Sequence, residues 1–403
     1  MKIIYITTSL PHGSDEAFII PEIQQLIRSG HQVLVIPRSP RGRIIHGDGL
    51  LGRARLESPY SPQVIRAAAI AAPRQIRAAV RPLLGSRSAL VAIKNLTIVP
   101  KALWLAGVAV RWGAGHIHCH WAGTTATMAM LASRISGIPW SMTAHRWDIV
   151  ENNLLAAKVK SASFVRFISE DGLRMAREIG IGPANNARVL HMGVAIPPVA
   201  RRRRGPRLVL LCPARLVEVK GHRFLLDAWR ILRSRGLEGE LLLAGHGELR
   251  ERLESLSETL DLAGSVKFLG AVPHRELLRI YEAAAVSAVV LPSIDLGHGH
   301  HEGIPVALVE AMSYGIPVVA TSTGGTSELV IPGTGLLAPP ADPVALADRI
   351  QSLLRDGNLA EQLGDSGRRR VIEAFDIVRV TTELVHEFEL SEQRGVSGVL
   401  QCA

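Results

Sequence analysis

Apolar positions along this chain fall into short β-branched runs, separated by longer stretches whose apolar residues recur at helical spacing. The first run, KIIYIT, leads through a Pro/Gly/His/Ser loop at Pro11 to Ser14 into a helix-like stretch from Glu16 to Ser29. Gly30 ends that helix and HQVLVIP follows. Three more runs, HIHCHW (116–121), WSMTAH (140–145) and SFVRFIS (163–169), each precede a helical pattern, the first of them at Thr124 to Ser136. This β-α-β order predicts a parallel sheet. Pro197, Pro198, Arg201 to Arg204, Gly205 and Pro206 cannot continue a core element and predict an interdomain linker. LVLLCPA then restarts the pattern, with ELLLAG, SVKFLG, SAVVLPS and IPVVATS after it. The organisation expected is a first β/α domain over 1–196, a second over 206–375 and a helical segment over 376–403.

Residues 62–112 interrupt the first domain. Ile65, Ala69, Ala72, Ile76, Val80 and Leu83 form an apolar stripe, with Arg66, Arg74, Arg77 and Arg81 mostly off it, and Pro73 predicts a kink or break. Ala89 to Trp112 is more apolar, but Lys94, Asn95, Pro100 and Lys101 argue against a membrane span. Charge sharpens this picture. Residues 1–200 carry 23 Lys and Arg against 10 Asp and Glu, while the remainder carries 23 against 26. Two readings of the insert stay open: core-facing helices with solvated arginines, or contact with an anionic membrane surface or lipid-linked acceptor. The basic first half favours the second. Because the second half is not basic, nucleic acid is not expected as a partner.

The length of 403 residues and the 47% apolar content suit two globular cores. Cys119, Cys212 and Cys402 are too few and too scattered for a disulfide framework, so a reducing, cytoplasmic setting is expected. MKIIYITTSL reads as a buried strand, not a signal segment.

The chemistry concentrates around Glu302-Gly-Ile-Pro-Val-Ala-Leu-Val-Glu310. Pro305 fits a helix start, which places Glu302 ahead of the helix and Glu310 inside it. Eight residues at a rise of ~1.5 Å separate them by roughly 12 Å. That exceeds the about 5–9.5 Å between paired hydrolase carboxylates. It suits two contacts on a long ligand, with first-turn N–H groups facing a diphosphate between them. Arg215 and Lys220 follow LVLLCPA, where an open parallel sheet places ligands, and can clamp two phosphates.

With these residues in place the second half resembles the family-4 retaining glycosyltransferases of the GT-B fold. The matching landmarks run in order through Pro213-Ala-Arg215…Lys220-Gly221, Ala244-Gly-His-Gly247, Phe268-Leu-Gly270 and Leu291-Pro-Ser293. They continue through Glu302-Gly303…Glu310-Ala-Met312, Gly315-Ile-Pro317 and Gly324-Gly-Thr-Ser-Glu328. The resemblance covers about residues 206–375 and implies an α/β fold with two Rossmann-like domains facing across a cleft. It implies that Arg215 and Lys220 bind the donor diphosphate, Glu302 the donor sugar and Glu310 the ribose. Gly303, Ile304 and Val306 would lie along the donor, and Val272 would meet the base. In the first half, Thr143-Ala-His145-Arg-Trp-Asp148 resembles the family's Thr-x-His-x-x-Asp segment, whose histidine approaches the transferred sugar. Arg146 stands where glycine is common. The Pro11-His-Gly13 loop resembles the family's first cleft loop. Gly13, Asp148 and His301 are the remaining candidates near the cleft.

Two histidine groups stand apart: His116, His118 and His120 alternate on a strand, and His298, His300 and His301 occupy a Gly-rich loop. The sequence near them offers no acidic or cysteine partner at metal spacing, and the resemblance implies metal independence and no cofactor beyond the nucleotide-sugar substrate. The activity implied is retaining transfer of a hexose-type sugar to a saccharide or lipid-linked acceptor at the inner face of the plasma membrane. Rival readings are a GT-B nucleotide-sugar epimerase or hydrolase, and a non-catalytic nucleotide-sugar-binding scaffold. A dinucleotide oxidoreductase is disfavoured because KIIYITTSLPHGS lacks G-x-G-x-x-G.

Overall fold

A computed structural model describes residues 1–13, 16–47, 49–198, 208–297 and 299–400, with side chains to 393. Ser14, Arg201 to Arg204, Gly205, Pro206, His298 and Cys402 lie outside the described residues, and with them most of the expected linker. The chain divides into two compact units, Met1–Gly193 with Ile377–Ala403, and Val194–Asp376.

The first unit holds a six-stranded sheet of β1 (Lys2–Thr7), β2 (Gln32–Pro37), β3 (His116–His120), β4 (Trp140–Ala144), β5 (Phe164–Phe167) and β6 (Ala187–Val189). The order is β2-β1-β3-β4-β5-β6, with every pair parallel. Strand β1 is buried on both faces because each face has its own helical cover. Ile4 and Ile6 pack in the core formed by helices Val99–Trp112 and Thr124–Ser136. Ile3 and Tyr5 pack with Ile19, Ile23 and Leu26, and with Leu384 and Phe388 of the C-terminal helix Ile377–Leu400.

The second unit repeats the design with β7 (Val209–Pro213), β8 (Glu240–Ala244), β9 (Val266–Gly270), β10 (Ala288–Leu291), β11 (Val318–Thr321) and β12 (Leu336–Ala338). Its order is β12-β11-β10-β7-β8-β9, again all parallel. The direction of strand addition reverses between β1 and β3 in one sheet and between β7 and β10 in the other. Ligand crevices form outside the carboxyl ends of strands at such switch points.

Two expectations need correction. The helix Pro62–Val80 runs unbroken through Pro73. Its buried residues are Val64, Ala68 and Ala79, whereas Ile65, Ile70 and Ile76 are 44%, 72% and 40% exposed. Of the two open readings of this stripe, the core-facing one fits only in part: small residues contact helix Val99–Trp112, and isoleucines stand outside among exposed Arg66, Arg74 and Arg77. Alanine and valine allow the close helix approach that isoleucine would prevent. No single helix among the described residues is long and apolar enough to cross a membrane. In the second unit, Pro305 stands at the N-cap position ahead of helix Val306–Ser313, is not its first residue and makes no side-chain capping bond.

Candidate functional site

In the second unit the loops after β7 and β10 converge at the switch point. The chain leaves β7 through Ala214 and Arg215, whose loop is held by Leu216 N–H bonding His246 O at 2.9 Å. A Cβ on Gly245 would lie 1.9 Å from Ala214 O, and one on Gly247 2.3 Å from Leu216 O. Only glycine lets these loops touch. The guanidinium of Arg215 is left exposed.

A 3₁₀ turn, Glu218–Lys220, ends at Gly221 with φ +64°, where a Cβ would meet Pro292 O at 2.0 Å. This close approach brings Lys220 to the loop after β10. Lys220 Nζ forms an ion pair with Glu302, which also accepts from Ser293 Oγ at 3.0 Å. Both side chains are mostly shielded, at 17% and 14% exposure. Glu302 is itself seated by close contact with the Gly-Gly pair, since a Cβ on Gly324 would fall 1.9 Å from Glu302 O. His301 Nδ1 lies 2.8 Å from the same carbonyl, so this histidine shapes the loop.

From Glu302 the chain passes Gly303, where a Cβ would meet no atom within 4 Å, and Ile304, then enters helix Val306–Ser313. The N–H groups of Val306 and Ala307 precede the first intrahelical bond, Leu308 N to Pro305 O at 2.9 Å. Glu310 accepts from His274 at 2.7 Å. That bond raises the His274 pKa, with burial opposing it. Val272, two residues earlier, packs against the core of this unit. Lys220, Ser293 and Glu302 thus form one cluster, and Glu310 and His274 a second on the same helix and its neighbour.

In the first unit His145 caps helix Arg146–Glu151 in a reciprocal capping box with Asp148. Asp148 accepts from His145 N at 2.8 Å and from Ala122 N. Burial pushes its pKa to about 7 against these bonds and nearby Lys158. Asp148 is therefore a clamp between two loops. The residues leading into the Pro11–Gly13 loop are held by Glu16, which accepts from Thr8 N (2.8 Å), Ser9 N (2.7 Å), Leu10 N (3.0 Å) and Trp121 Nε1 (2.8 Å). Gly13 has φ +71° and donates to Arg43 O.

His145 Nε2 lies 3.1 Å from His120 Nδ1, and His120 Nε2 lies 3.2 Å from Glu22 Oε1. Glu22 also accepts from Tyr5 Oη and from Arg166 Nη1 at 2.6 Å. Burial alone would raise the Glu22 pKa, but Arg166, His120 and Tyr5 outweigh it and hold the carboxylate well below its usual range. The ionised carboxylate takes a proton bond from His120 Nε2, which in neutral His120 leaves Nδ1 to accept from His145 Nε2. Burial, with His120 beside it, lowers the His145 pKa well below its ordinary value.

Glu22 corrects the expectation that the strand histidines lack an acidic neighbour. Glu22, His118 and His120 bring three ligating atoms within 4.8 Å of one another. The set suits a metal poorly, because Arg166 already places a cation on Glu22, and His118 is bonded to Ser141 at 2.7 Å and Thr143 at 3.0 Å. Sequence reading missed Glu22 although a signal was present. It sits in the stripe Ile19, Glu22, Ile23, Leu26, a charge at a core-facing position. Glu16 and His274 gave no such signal.

Known proteins resemble this chain in sequence and fold. Residues 199–370 match the family model described as glycosyl transferases group 1. A putative colanic acid biosynthesis glycosyltransferase, WcaL of Salmonella typhimurium, is 34% identical over 50% of this chain and 50% of its own length. The alignment thus spans half of that relative. A GDP-mannose-dependent alpha-(1-6)-phosphatidylinositol monomannoside mannosyltransferase of Mycolicibacterium smegmatis is 30% identical over 64% of this chain and 72% of its own. Among solved structures, Anabaena Alr3699/HepE in complex with UDP superposes with TM-score 0.71 at 18% identity, covering 96% of this chain and 100% of that one. That likeness establishes the two-sheet GT-B fold. The paired sheets, the ordered landmarks and the extent of these matches together make the chain a member of the group 1 glycosyltransferases.

Proposed function

We propose that this protein transfers a hexose-type sugar from a nucleoside-diphosphate donor, with retention of anomeric configuration, to a saccharide or lipid-linked acceptor in cell-surface polysaccharide or glycolipid synthesis. The Lys220–Glu302–Ser293 cluster at the switch point of the second sheet carries this reading. Lys220 has three donor hydrogens, so it can keep Glu302 while binding a phosphate oxygen. Arg215 and the uncapped first turn at Val306 add positive charge where a leaving diphosphate gathers negative charge. No metal is needed in this scheme. Glu302 holds the sugar, Glu310 the ribose, and Val272 lies at the base. His145 takes the sugar-contact role of its segment. The acceptor hydroxyl attacks from the face the diphosphate leaves, and a donor phosphate oxygen takes its proton.

The names of the Salmonella and mycobacterial relatives support a polysaccharide or glycolipid product and a hexose donor. The first unit supports work at the inner face of the plasma membrane. Leu84, Ile70, Leu90 and Ile93 are 82%, 72%, 65% and 58% exposed among exposed Arg74, Arg77, Arg81 and Arg87.

The test is calorimetry with UDP-, GDP- and ADP-sugars on wild type and on the variants Lys220→Ala and Glu302→Gln. One donor should bind wild type, and Lys220→Ala should lose about 2 kcal/mol, roughly 30-fold in Kd. Proton NMR of the product should show the donor's anomeric configuration. Unchanged affinity in Lys220→Ala would remove the assignment.

A further inference from the structure

Glu22, His120 and His145 form a chain of hydrogen bonds whose direction is fixed from both ends. Each comes from a different element of the first unit: helix Ile20–Arg28, the last residue of β3, and the residue after β4. At the far end Arg166 Nη1 donates to Glu22 Oε2 at 2.6 Å, while its other two nitrogens donate to Leu190 O and His191 O. Tyr5 gives its only proton to Glu22, and its oxygen lies 3.3 Å from His120 Nε2. His120 Nε2 therefore faces two acceptors, Glu22 Oε1 and Tyr5 Oη, and carries the ring proton.

At the near end, the capping box sets the backbone N–H of Asp148 against the His145 side chain. With Nε2 turned to His120, the nitrogen left to accept that N–H is Nδ1, and only a bare ring nitrogen accepts. Both ends thus require one state: His145 carries its proton on Nε2 and donates it to His120 Nδ1 at 3.1 Å. The ring is also fixed in orientation. The Trp121 indole lies across its face with centroids 4.3 Å apart, and Phe18 meets it edge-on at 5.5 Å.

A chain of this kind is either a relay, passing a proton from His145 toward Glu22, or a brace. A relay needs a group at its end that takes the proton. Burial would raise the Glu22 pKa, but Arg166, His120 and Tyr5 hold the carboxylate well below its usual range. Tyr5, Glu22, His120 and Arg166 are fully buried, so the far end has no contact with solvent either. A relay would also have to protonate His145 Nδ1, which breaks the bond to the Asp148 N–H.

We infer that Glu22 and His120 are positioning residues that brace His145 as a neutral imidazole protonated at Nε2 and exclude it from proton transfer during the reaction, a role that rests on the sugar contact proposed for His145. Preorganisation of this kind acts on the geometry of the contact and not on its charge.

Nitrogen NMR on protein labelled at histidine, with His145 assigned by its loss in His145→Gln, reads the tautomer. Wild type at neutral pH should show Nε2 protonated and Nδ1 bare. Hydrolysis of UDP- and GDP-sugars by wild type, His120→Leu and His120→Asn, followed by proton NMR, reads the role. With the donor that wild type turns over, kcat should fall about tenfold in His120→Leu while KM stays within about twofold. The amide oxygen of asparagine can stand in for Nδ1, so His120→Asn should stay within about threefold of wild type. Leucine fills the space of histidine better than asparagine does, so a merely structural role predicts the reverse order. A protonated Nδ1 at His145, or a kcat in His120→Leu no lower than in His120→Asn, overturns the inference. The tautomer needs no variant at His120, so the test survives poor folding of His120→Leu. Absence of turnover of every donor by wild type overturns the donor reading, and the role in transfer with it, while the tautomer stands.

Discussion

Replacing His116 by phenylalanine should make the protein more resistant to acid by a calculable amount. His116 is fully buried at the start of β3, with Nε2 2.7 Å from Ser141 Oγ and Nδ1 without a partner among the described residues. Burial lowers its pKa from 6.5 to about 3. A depressed histidine pKa means that the unfolded chain gains a proton below pH 6.5 while the native state does not. Stability is therefore lost as pH falls from 6.5 toward 3. Between pH 7.5 and 5.0 a shift of this size costs about 2 kcal/mol. Phenylalanine keeps the ring contacts with Phe388 (4.7 Å between centroids) and Phe164 (6.0 Å), and Ser141 keeps its bond to His118 at 2.7 Å. Any packing cost of the larger ring does not depend on pH. Asp148, whose pKa is raised to about 7, acts in the opposite sense over the same range, but equally in both proteins. The difference between variant and wild type isolates the histidine. Thermal unfolding at a series of pH values should show the gap in midpoint widening by about 4–8 °C between pH 7.5 and 5.0 for a unit of this size. A gap that stays constant would show that His116 takes up its proton in the folded protein, and the burial argument would fail.

Two further outcomes follow from the sites. Glu22→Ala leaves the buried Arg166 without its carboxylate and should cost about 3–5 kcal/mol of stability, read from urea unfolding; a loss under about 1 kcal/mol would mean that water reaches Arg166. His274 pairs with Glu310 below its raised pKa and releases it as pH rises, so UDP or GDP affinity should increase with pH through that titration and lose this dependence in His274→Ala; calorimetry from pH 6 to 8.5 that shows the same slope in both proteins would contradict the ribose assignment of Glu310.

The strands were readable because fully buried parallel strands write themselves as continuous apolar runs. KIIYIT, HIHCHW, LVLLCPA and SAVVLPS each coincide with a strand. The edge strands β6 and β12 have three residues each and only partial burial, so their apolar signal is too short to register. Landmark glycines were legible as motif letters, and the structure supplies their reason in carbonyls lying about 2 Å from where a Cβ would stand. The buried face of helix Pro62–Val80 was not legible, because alanines and isoleucines both recur at helical spacing and only the packing selects Val64, Ala68 and Ala79 for burial. The Glu22–His120–His145 chain was hidden for another reason. Its members stand 98 and 25 residues apart in sequence, and only the sheet order brings them together.

The C-terminal helix makes the first unit discontinuous, and this sets an order of events during synthesis. Leu384 and Phe388 belong to the same core as Ile3, Tyr5 and Val33. After Gly193 leaves the ribosome, the whole of Val194–Asp376 must be made before those two residues exist. At about 5–20 residues per second that interval is roughly 10–40 s. The second unit is contiguous and can complete itself within this time, although it begins later. The part of the sheet face around His116, His118 and Phe164, where Phe388 later packs, meanwhile waits uncovered, and that is where a chaperone would be expected to hold the nascent chain.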